Sequence, residues 1–218
     1  MHSKTVLWRI LFVVLATFGG LAGCSFAPQR YMMIQDEALT LSKGDLEKSC
    51  LAFITPSTVT GQEENRQALA LAFARVVQSK RPNLRVLTLP QTLGAVNKAG
   101  LAENYKQMYD EYRNTGIFRR TTLQQIADAT GCRYLAQLNL ATFQQSSDNR
   151  FGALGFRIVQ TKQANIRQFL QIWDAQEGTI AWEGSQEYKY TDETVTERSV
   201  TFKTVIEETA QAMIDKLP

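Results

Sequence analysis

The stretch Phe169–Gly184, FLQIWDAQEGTIAWEG, decides the fold because it predicts a β-hairpin. Residues 157–173 alternate between apolar and mostly polar side chains, which is the period-two pattern of a half-exposed antiparallel strand. Asp174–Gly178 has the composition of a turn, and residues 179–190 are predicted as the returning strand. The second half of the chain therefore predicts an antiparallel hairpin.

The first half of the chain has a different organisation. Three short apolar runs, at residues 51–56, 84–89 and 134–140, are separated by helical patterns, of which residues 62–80 are the clearest. Strands that alternate with helices require crossover connections and a parallel sheet. With a C-terminal helix over residues 197–217, the sequence predicts an α/β fold. Its mixed sheet has about five strands, parallel in the first half and ending in the antiparallel hairpin, and is flanked by helices.

The N-terminus has the features of a bacterial lipoprotein signal peptide. A short basic segment is followed by an apolar run, residues 10–18, which is too short to span a bilayer. Leu21-Ala-Gly-Cys24 resembles the lipobox, in which the cysteine is diacylated on sulfur and, after cleavage, acylated on its new amine. The resemblance implies that residues 1–23 are removed and that Cys24 becomes the lipidated first residue. The alternative is an ordinary secretory signal or membrane anchor in which this cysteine is incidental.

Lipidation would fix the location of the protein. Each buried methylene contributes about 0.8 kcal/mol, so several acyl chains hold a protein on a membrane for practical purposes permanently. Lipoproteins kept at the inner membrane of two-membrane bacteria often have Asp after the cysteine, whereas Ser25 follows here. The resemblance implies an outer-membrane protein that faces the periplasm. We predict a tether over residues 24–48, in which Tyr31–Ile34 could pair as an edge strand, and a single α/β domain over residues 49–218.

Composition excludes several classes of function. Removal of the signal leaves 195 residues with a net charge of +1, so no nucleic-acid partner is expected. The only histidine, His2, leaves with the signal, which excludes imidazole catalysis and most zinc sites. No cofactor and no metal are predicted, and the protein is not expected to be an enzyme. The exception would be carboxylate chemistry on glycan by Glu183 and Glu187, which share a face of the predicted strand; a solvated strand face is the favoured alternative.

Cys50 and Cys132 remain once Cys24 is assigned to lipid. Each begins a predicted strand, in a compartment that permits disulfides. If these strands are parallel neighbours, their starting ends lie close together and a bridge can form. Two buried, unpaired thiols are the equally weighted alternative.

Two groups of side chains are candidates for recognition. A Tyr-rich and Arg-rich segment has the composition of protein interfaces, and because its tyrosines are predicted to face inward, Arg113, Arg119 and Arg120 are kept as the candidate partner surface. Trp173 and Trp182 flank the predicted turn and could form an aromatic glycan patch. Packing within the hairpin is the favoured interpretation of these two side chains.

Four segments together resemble one known group. They are Leu51–Pro56 with its following helix, residues 126–135 (IADATGCRYL), the hairpin stretch and the C-terminal helix. They resemble the periplasmic lipoprotein domains related to CsgG, LpoB and the N-terminal domain of TolB. The resemblance implies a mixed sheet that the hairpin completes, with helices packed against it.

The chain also departs from this group. CsgG builds a pore from long lipid-facing hairpins, whereas the nearest segment here, residues 146–162, carries charges and is predicted as a soluble loop or short hairpin. The predicted function is a non-catalytic outer-membrane lipoprotein that binds another envelope protein, or its own copies, in support of assembly, secretion or cell-wall synthesis. The alternatives are a ring-forming subunit of an export apparatus and, third, a carboxylate-based peptidoglycan hydrolase.

Overall fold

A computed structural model of the chain describes residues 28–59, 61–153, 156–194 and 202–218. Its strands are β1 Gln29–Ala38, β2 Leu51–Phe53, β3 Ser57–Thr58, β4 Val86–Leu87, β5 Tyr134–Ala153, β6 Phe156–Asp174 and β7 Thr179–Thr194. Its helices are α1 Asp45–Lys48, α2 Glu63–Lys80, α3 Leu89–Lys98, α4 Ala102–Thr115, α5 Arg120–Thr130 and α6 Phe202–Ile214. The first residues of the C-terminal helix predicted over 197–217 lie outside the described ranges.

These strands form one mixed sheet. Their order is β1-β7-β6-β5-β2-β4, and β3 pairs with β5 further along its edge. Strand β2 is parallel to β4 and β5, whereas β5, β6, β7 and β1 are antiparallel in succession. The predicted fold class is confirmed, with seven strands in place of about five. The additional strands are β1 and β3.

Helices cover the sheet on both faces. Helices α2 and α6 pack on one face, which we call face A, in a core that includes Phe53, Leu138 and Ile206. Helices α3, α4 and α5 pack on the opposite face, face B, over Ile54 and Leu135. Successive residues of a strand point to opposite faces, so the apolar strands contribute to both cores.

The predicted strand over residues 84–89 is shorter than expected because a helix begins within it. The Thr88 backbone N–H donates to Gln91 Oε1 at 2.8 Å, and the two residues form a capping box. Pro90 fits the first turn of α3, where its missing N–H costs nothing. Only Val86 and Leu87 are therefore left to pair in the sheet.

The tether predicted over residues 24–48 is corrected from residue 29 onward. Strand β1 pairs with β7 along its whole length, from Gln29 opposite Thr191 to Ala38 opposite Trp182. Leu41 and Leu46 then enter the core of face A. Strand β1 shows no clear apolar alternation because almost all its residues are exposed on both faces, so its sequence has no buried side to reveal.

Residues 146–162 also differ from the prediction of a loop or short hairpin. Strands β5 and β6 continue through this segment, and their pairing runs as far as Ala153 opposite Phe156. Strand β7 accompanies β6 to Thr194 opposite Gln160. Residues 146–153 and 156–162 are therefore paired parts of β5 and β6.

Candidate interaction surface

Cys24 and the signal segment 1–23 lie outside the described residues. Within the described ranges, no helix is long and apolar enough to cross a membrane. The same part of the chain contains no group of three or more His, Cys, Asp or Glu side chains arranged to hold a metal ion.

Cys50 and Cys132 are joined by a disulfide in the structure. Their Cα atoms are 4.9 Å apart, and both residues are fully buried at the starting ends of β2 and β5. The two strands are parallel neighbours, with Leu51 opposite Tyr134. The Arg85 guanidinium lies beside the bridge and donates to the Gly131 carbonyl at 2.7 Å.

The three predicted surface arginines lie around the connection between α4 and α5, and all three are exposed. Arg113 forms an ion pair with Asp110, and Arg119 forms one with Glu111. Arg120 is different because its Nε donates to the Gln176 carbonyl at 2.7 Å and so ties α5 to the hairpin turn. Two of the three guanidinium groups thus form ion pairs on the surface, while Arg120 links α5 to the hairpin turn.

The hairpin turn is built around Asp174. Arg133 donates to both of its carboxylate oxygens, and the Gln176 N–H donates to Oδ1 at 3.0 Å. Burial disfavours the charged carboxylate, but these hydrogen bonds outweigh it and lower the pKa of Asp174 below its ordinary value. The acidic group is a structural element of the turn.

Trp173 and Trp182 do not form an aromatic patch. Both are buried, but Trp173 belongs to the core of face B and Trp182 to the core of face A. An irregularity in the pairing of β6 with β7 sets Trp182 opposite Ile172, and Trp173 opposite Ile180. The favoured interpretation, packing, is correct, although the two rings pack on different faces.

The predicted inward-facing tyrosines lie on face B beneath α4. Tyr109 and Tyr112 pack on Phe118, whose ring also contacts Trp173. Tyr105 packs on Tyr109. Burial raises the pKa of all three tyrosine hydroxyls. These hydroxyls remain protonated near neutral pH and serve as hydrogen-bonding core groups.

Glu183 and Glu187 lie on face B of β7, as expected from their spacing. Four residues of strand separate their Cα atoms by about 13 Å. Glu183 accepts a hydrogen bond from Gln171 Nε2, and Glu187 pairs with Lys189 at 2.9 Å. Their neighbours are those of a polar strand face.

The edge strand β1 carries three exposed large apolar side chains in succession. Tyr31, Met32 and Met33 are exposed by 55%, 39% and 42%. The strand pairs on one side with β7 and ends the described sheet order on its other side. A ten-residue strand at a sheet edge presents backbone N–H and C=O groups to any further strand that approaches it.

No protein-family model and no curated protein sequence matches this chain. Solved structures do resemble it. A PelC dodecamer from Paraburkholderia phytofirmans is 11% identical, with 86% of this chain and 95% of that chain covered and a TM-score of 0.41. Lipoprotein GNA1162 from Neisseria meningitidis is 10% identical, with coverages of 77% and 96% and a TM-score of 0.39. The LpoB C-terminal domain from Salmonella enterica is 17% identical, with coverages of 67% and 86% and a TM-score of 0.36.

The LpoB domain is one of those that the sequence motifs resemble, and GNA1162 is described as a lipoprotein. All three TM-scores are below 0.5, so the likenesses say nothing about what this chain binds.

The candidate surface on β1 carries none of the predicted partner residues. The signal in the sequence is the apolar run Tyr31–Ile34, which follows Pro28 and precedes the acidic pair Asp36 and Glu37. A short apolar run closed by charges is typical of an edge strand that natural proteins keep from unspecific pairing. Because β1 has no apolar alternation, the sequence does not reveal that this strand extends over ten residues.

Proposed function

We propose that the chain is a lipid-anchored, non-catalytic protein of the bacterial envelope whose α/β domain binds a protein partner along β1. Its role would be to support assembly, secretion or cell-wall synthesis. The observation that carries the proposal is the long edge strand with exposed Tyr31, Met32 and Met33. Addition of a strand to such an edge gives affinity through main-chain hydrogen bonds and specificity through alternate side chains.

The predicted lipidation site supports the envelope location. Only four residues separate Cys24 from Gln29, the first residue of β1. Since a chain extends by at most about 3.6 Å per residue, an acylated Cys24 would hold the start of β1 within about 18 Å. The edge strand would then work close to the membrane surface, and its partner would be an envelope protein. Because Ser25 rather than Asp follows Cys24, the proposed membrane is the outer one, with the domain in the periplasm.

Two features of the chain support the proposed non-catalytic role. The sequence after residue 23 has no histidine. Glu183 accepts a hydrogen bond from Gln171 on the neighbouring strand β6, and Glu187 pairs with Lys189 on β7. These contacts support the interpretation of both carboxylates as part of a polar sheet face.

Site-specific photo-crosslinking in intact cells tests the proposal. A photoreactive phenylalanine derivative replaces Tyr31 on β1 or, as the matched control, Leu93, an exposed apolar residue on α3. We expect a discrete protein adduct from position 31 in the membrane fraction, none from position 93, and loss of the adduct when Cys24→Ser is added. No adduct at position 31, or equal adducts at both positions, would contradict the proposal.

A further inference from the structure

We infer that the partner of β1 is a second copy of this chain, paired through its own β1 in antiparallel orientation so that the two sheets become continuous. The inference rests on the proposed function, because it names the occupant of the same edge. It is drawn from the side-chain pattern of β1, which is self-complementary in one register.

The faces of the sheet restrict which registers are possible. Antiparallel strands in one sheet are related by a two-fold axis perpendicular to it, and side chains directly opposite each other share a face. Met32 lies opposite Tyr188, which belongs to the core of face A. Even-numbered residues of β1 are therefore on face A and odd-numbered residues on face B. Only pairings of even with even and odd with odd residues are allowed.

One allowed register brings opposite charges together. With the axis at Met33, this residue faces Met33 of the second copy on face B. On face A, Met32 faces Ile34 of the second copy, and Arg30 faces its Asp36. The two-fold symmetry repeats the pair of Met32 with Ile34 and the pair of Arg30 with Asp36. The interface therefore has an apolar centre with an ion pair at each end. On face B, the end position pairs Gln29 with Glu37, which can hydrogen-bond.

Neighbouring registers lose this complementarity. With the axis at Ile34, Asp36 faces the apolar Met32, and Arg30 faces Ala38. With the axis at Met32, Arg30 faces Ile34, and Asp36 has no partner within the strand. The register centred on Met33 is the one of these three that pairs the charges of face A.

Both charged groups are accessible to a second copy. The Arg30 side chain is 55% exposed, and its guanidinium is 3.6 Å from Glu208 Oε1. A guanidinium has five N–H donors, so it can hold Glu208 and a further carboxylate together. Asp36 is exposed and has no ion-pair partner among the described residues.

Cysteine crosslinking of the full chain in intact cells tests the register. In Met33→Cys, the two new thiols face each other across strands whose opposed Cα atoms are about 4.5–5.5 Å apart, which allows a disulfide. In the matched control Gln35→Cys, on the same strand and face, they are offset by four residues, or about 14 Å. With a mild oxidant, we expect a dimer that reductant reverses for Met33→Cys only, and none for Gln35→Cys or for the parent protein, which controls for Cys24.

Exchanging the charges of Arg30 and Asp36 tests the proposed ion pairs separately from the main-chain pairing of the two strands. Asp36→Arg in the Met33→Cys background places arginine opposite Arg30 twice, and we expect the dimer to weaken about tenfold. The double change Arg30→Asp with Asp36→Arg restores opposite charges and should restore crosslinking. Failure of the exchange to restore it would overturn the proposed register.

The outcomes separate this inference from the proposed function. Absence of a Met33→Cys dimer, a stronger dimer for Gln35→Cys, or products of more than two chains would overturn the self-pairing. If photo-crosslinking at position 31 then gives an adduct with a different protein, the proposed function stands without it. If neither experiment gives an adduct, both the self-pairing and the proposed binding of a partner along β1 are overturned.

Discussion

Gly178 fixes the hairpin turn against α5. Its φ is +72°, and a Cβ added there would lie 2.6 Å from the Arg120 Cβ. We expect Gly178→Ala to reduce the free energy of unfolding by about 3 kcal/mol, because left-handed strain and a steric clash add together. Urea denaturation measures the loss.

The matched control for this change is Gly116→Ala. Gly116 has a φ of +71° at the end of α4, and no heavy atom lies within 4 Å of an added Cβ. Only the conformational penalty applies there, and it is about 1 kcal/mol. Equal losses at the two positions would show that the contact between Arg120 and the turn is not tight.

The lowered pKa of Asp174 should make the free energy of unfolding depend on pH. Its pKa is lowered in the folded state, so its stabilising contribution is complete above the pKa of the unfolded chain and is lost as the pH falls through the folded value. We expect Asp174→Asn to cost about 2 kcal/mol at pH 7, and the difference from the parent to shrink at pH 3. Urea denaturation at both pH values measures this difference.

An exposed carboxylate on α5 supplies the comparison for Asp174. Asp128→Asn should change stability by less than about 0.5 kcal/mol at pH 7. If the penalty of Asp174→Asn is the same at pH 3 as at pH 7, the ion pair with Arg133 is not its source.

The local sequence pattern reveals the structural role of some residues and not of others. The turn at Asp174–Gly178 was predictable because its chemistry is local. The structural role of Arg120 was not, since its acceptor, the Gln176 carbonyl, is 56 residues away in the chain. In the structure the exposed Arg120 also contacts the hairpin turn, and local sequence patterns do not reveal such a contact.

At the scale of elements, the disulfide joins the starting ends of β2 and β5 across a sequence separation of 82 residues. Closing a loop of this length contributes about 4 kcal/mol in the chain-entropy model. We expect the double change Cys50→Ala with Cys132→Ala to lower the free energy of unfolding by about that amount. The measurement is urea denaturation without reductant.

Thiol labelling checks the bridge directly, provided that the protein is first unfolded, since both cysteines are fully buried. In urea without reductant, the peptides containing Cys50 and Cys132 should carry no label, and after reduction both should carry it. Labelling of both peptides before reduction would show two free thiols.

Strand prediction succeeded where one face is buried and failed where both faces have the same environment. The alternation over residues 157–173 revealed β6, including its antiparallel partner. Only Tyr31–Ile34 of β1 was anticipated, as an edge strand, because nearly all residues of this strand are exposed. The pairing irregularity near Trp173 also interrupts the alternation of β7, because the consecutive residues Ala181 and Trp182 both enter the core of face A.

For the whole molecule, the fold class was predictable, whereas the long exposed edge strand β1 was not. The order of strands and helices determines a mixed sheet with two covered faces. Which surface remains open depends on where the helices end relative to the sheet, and here they leave β1 uncovered. Strand β1 begins five residues after Cys24, so the proposed anchor and the proposed binding edge would lie in one segment.

We propose that acyl chains on Cys24 hold this domain at a membrane, and the mass of the N-terminal peptide decides whether they do. The protein is purified from its membranes in detergent and digested, and its first peptide is measured. We expect a peptide that begins at Cys24 and carries the mass of a diacylglyceryl group and one amide-linked acyl chain. A peptide that retains residues before Cys24, or one with an unmodified Cys24 thiol, would contradict the account.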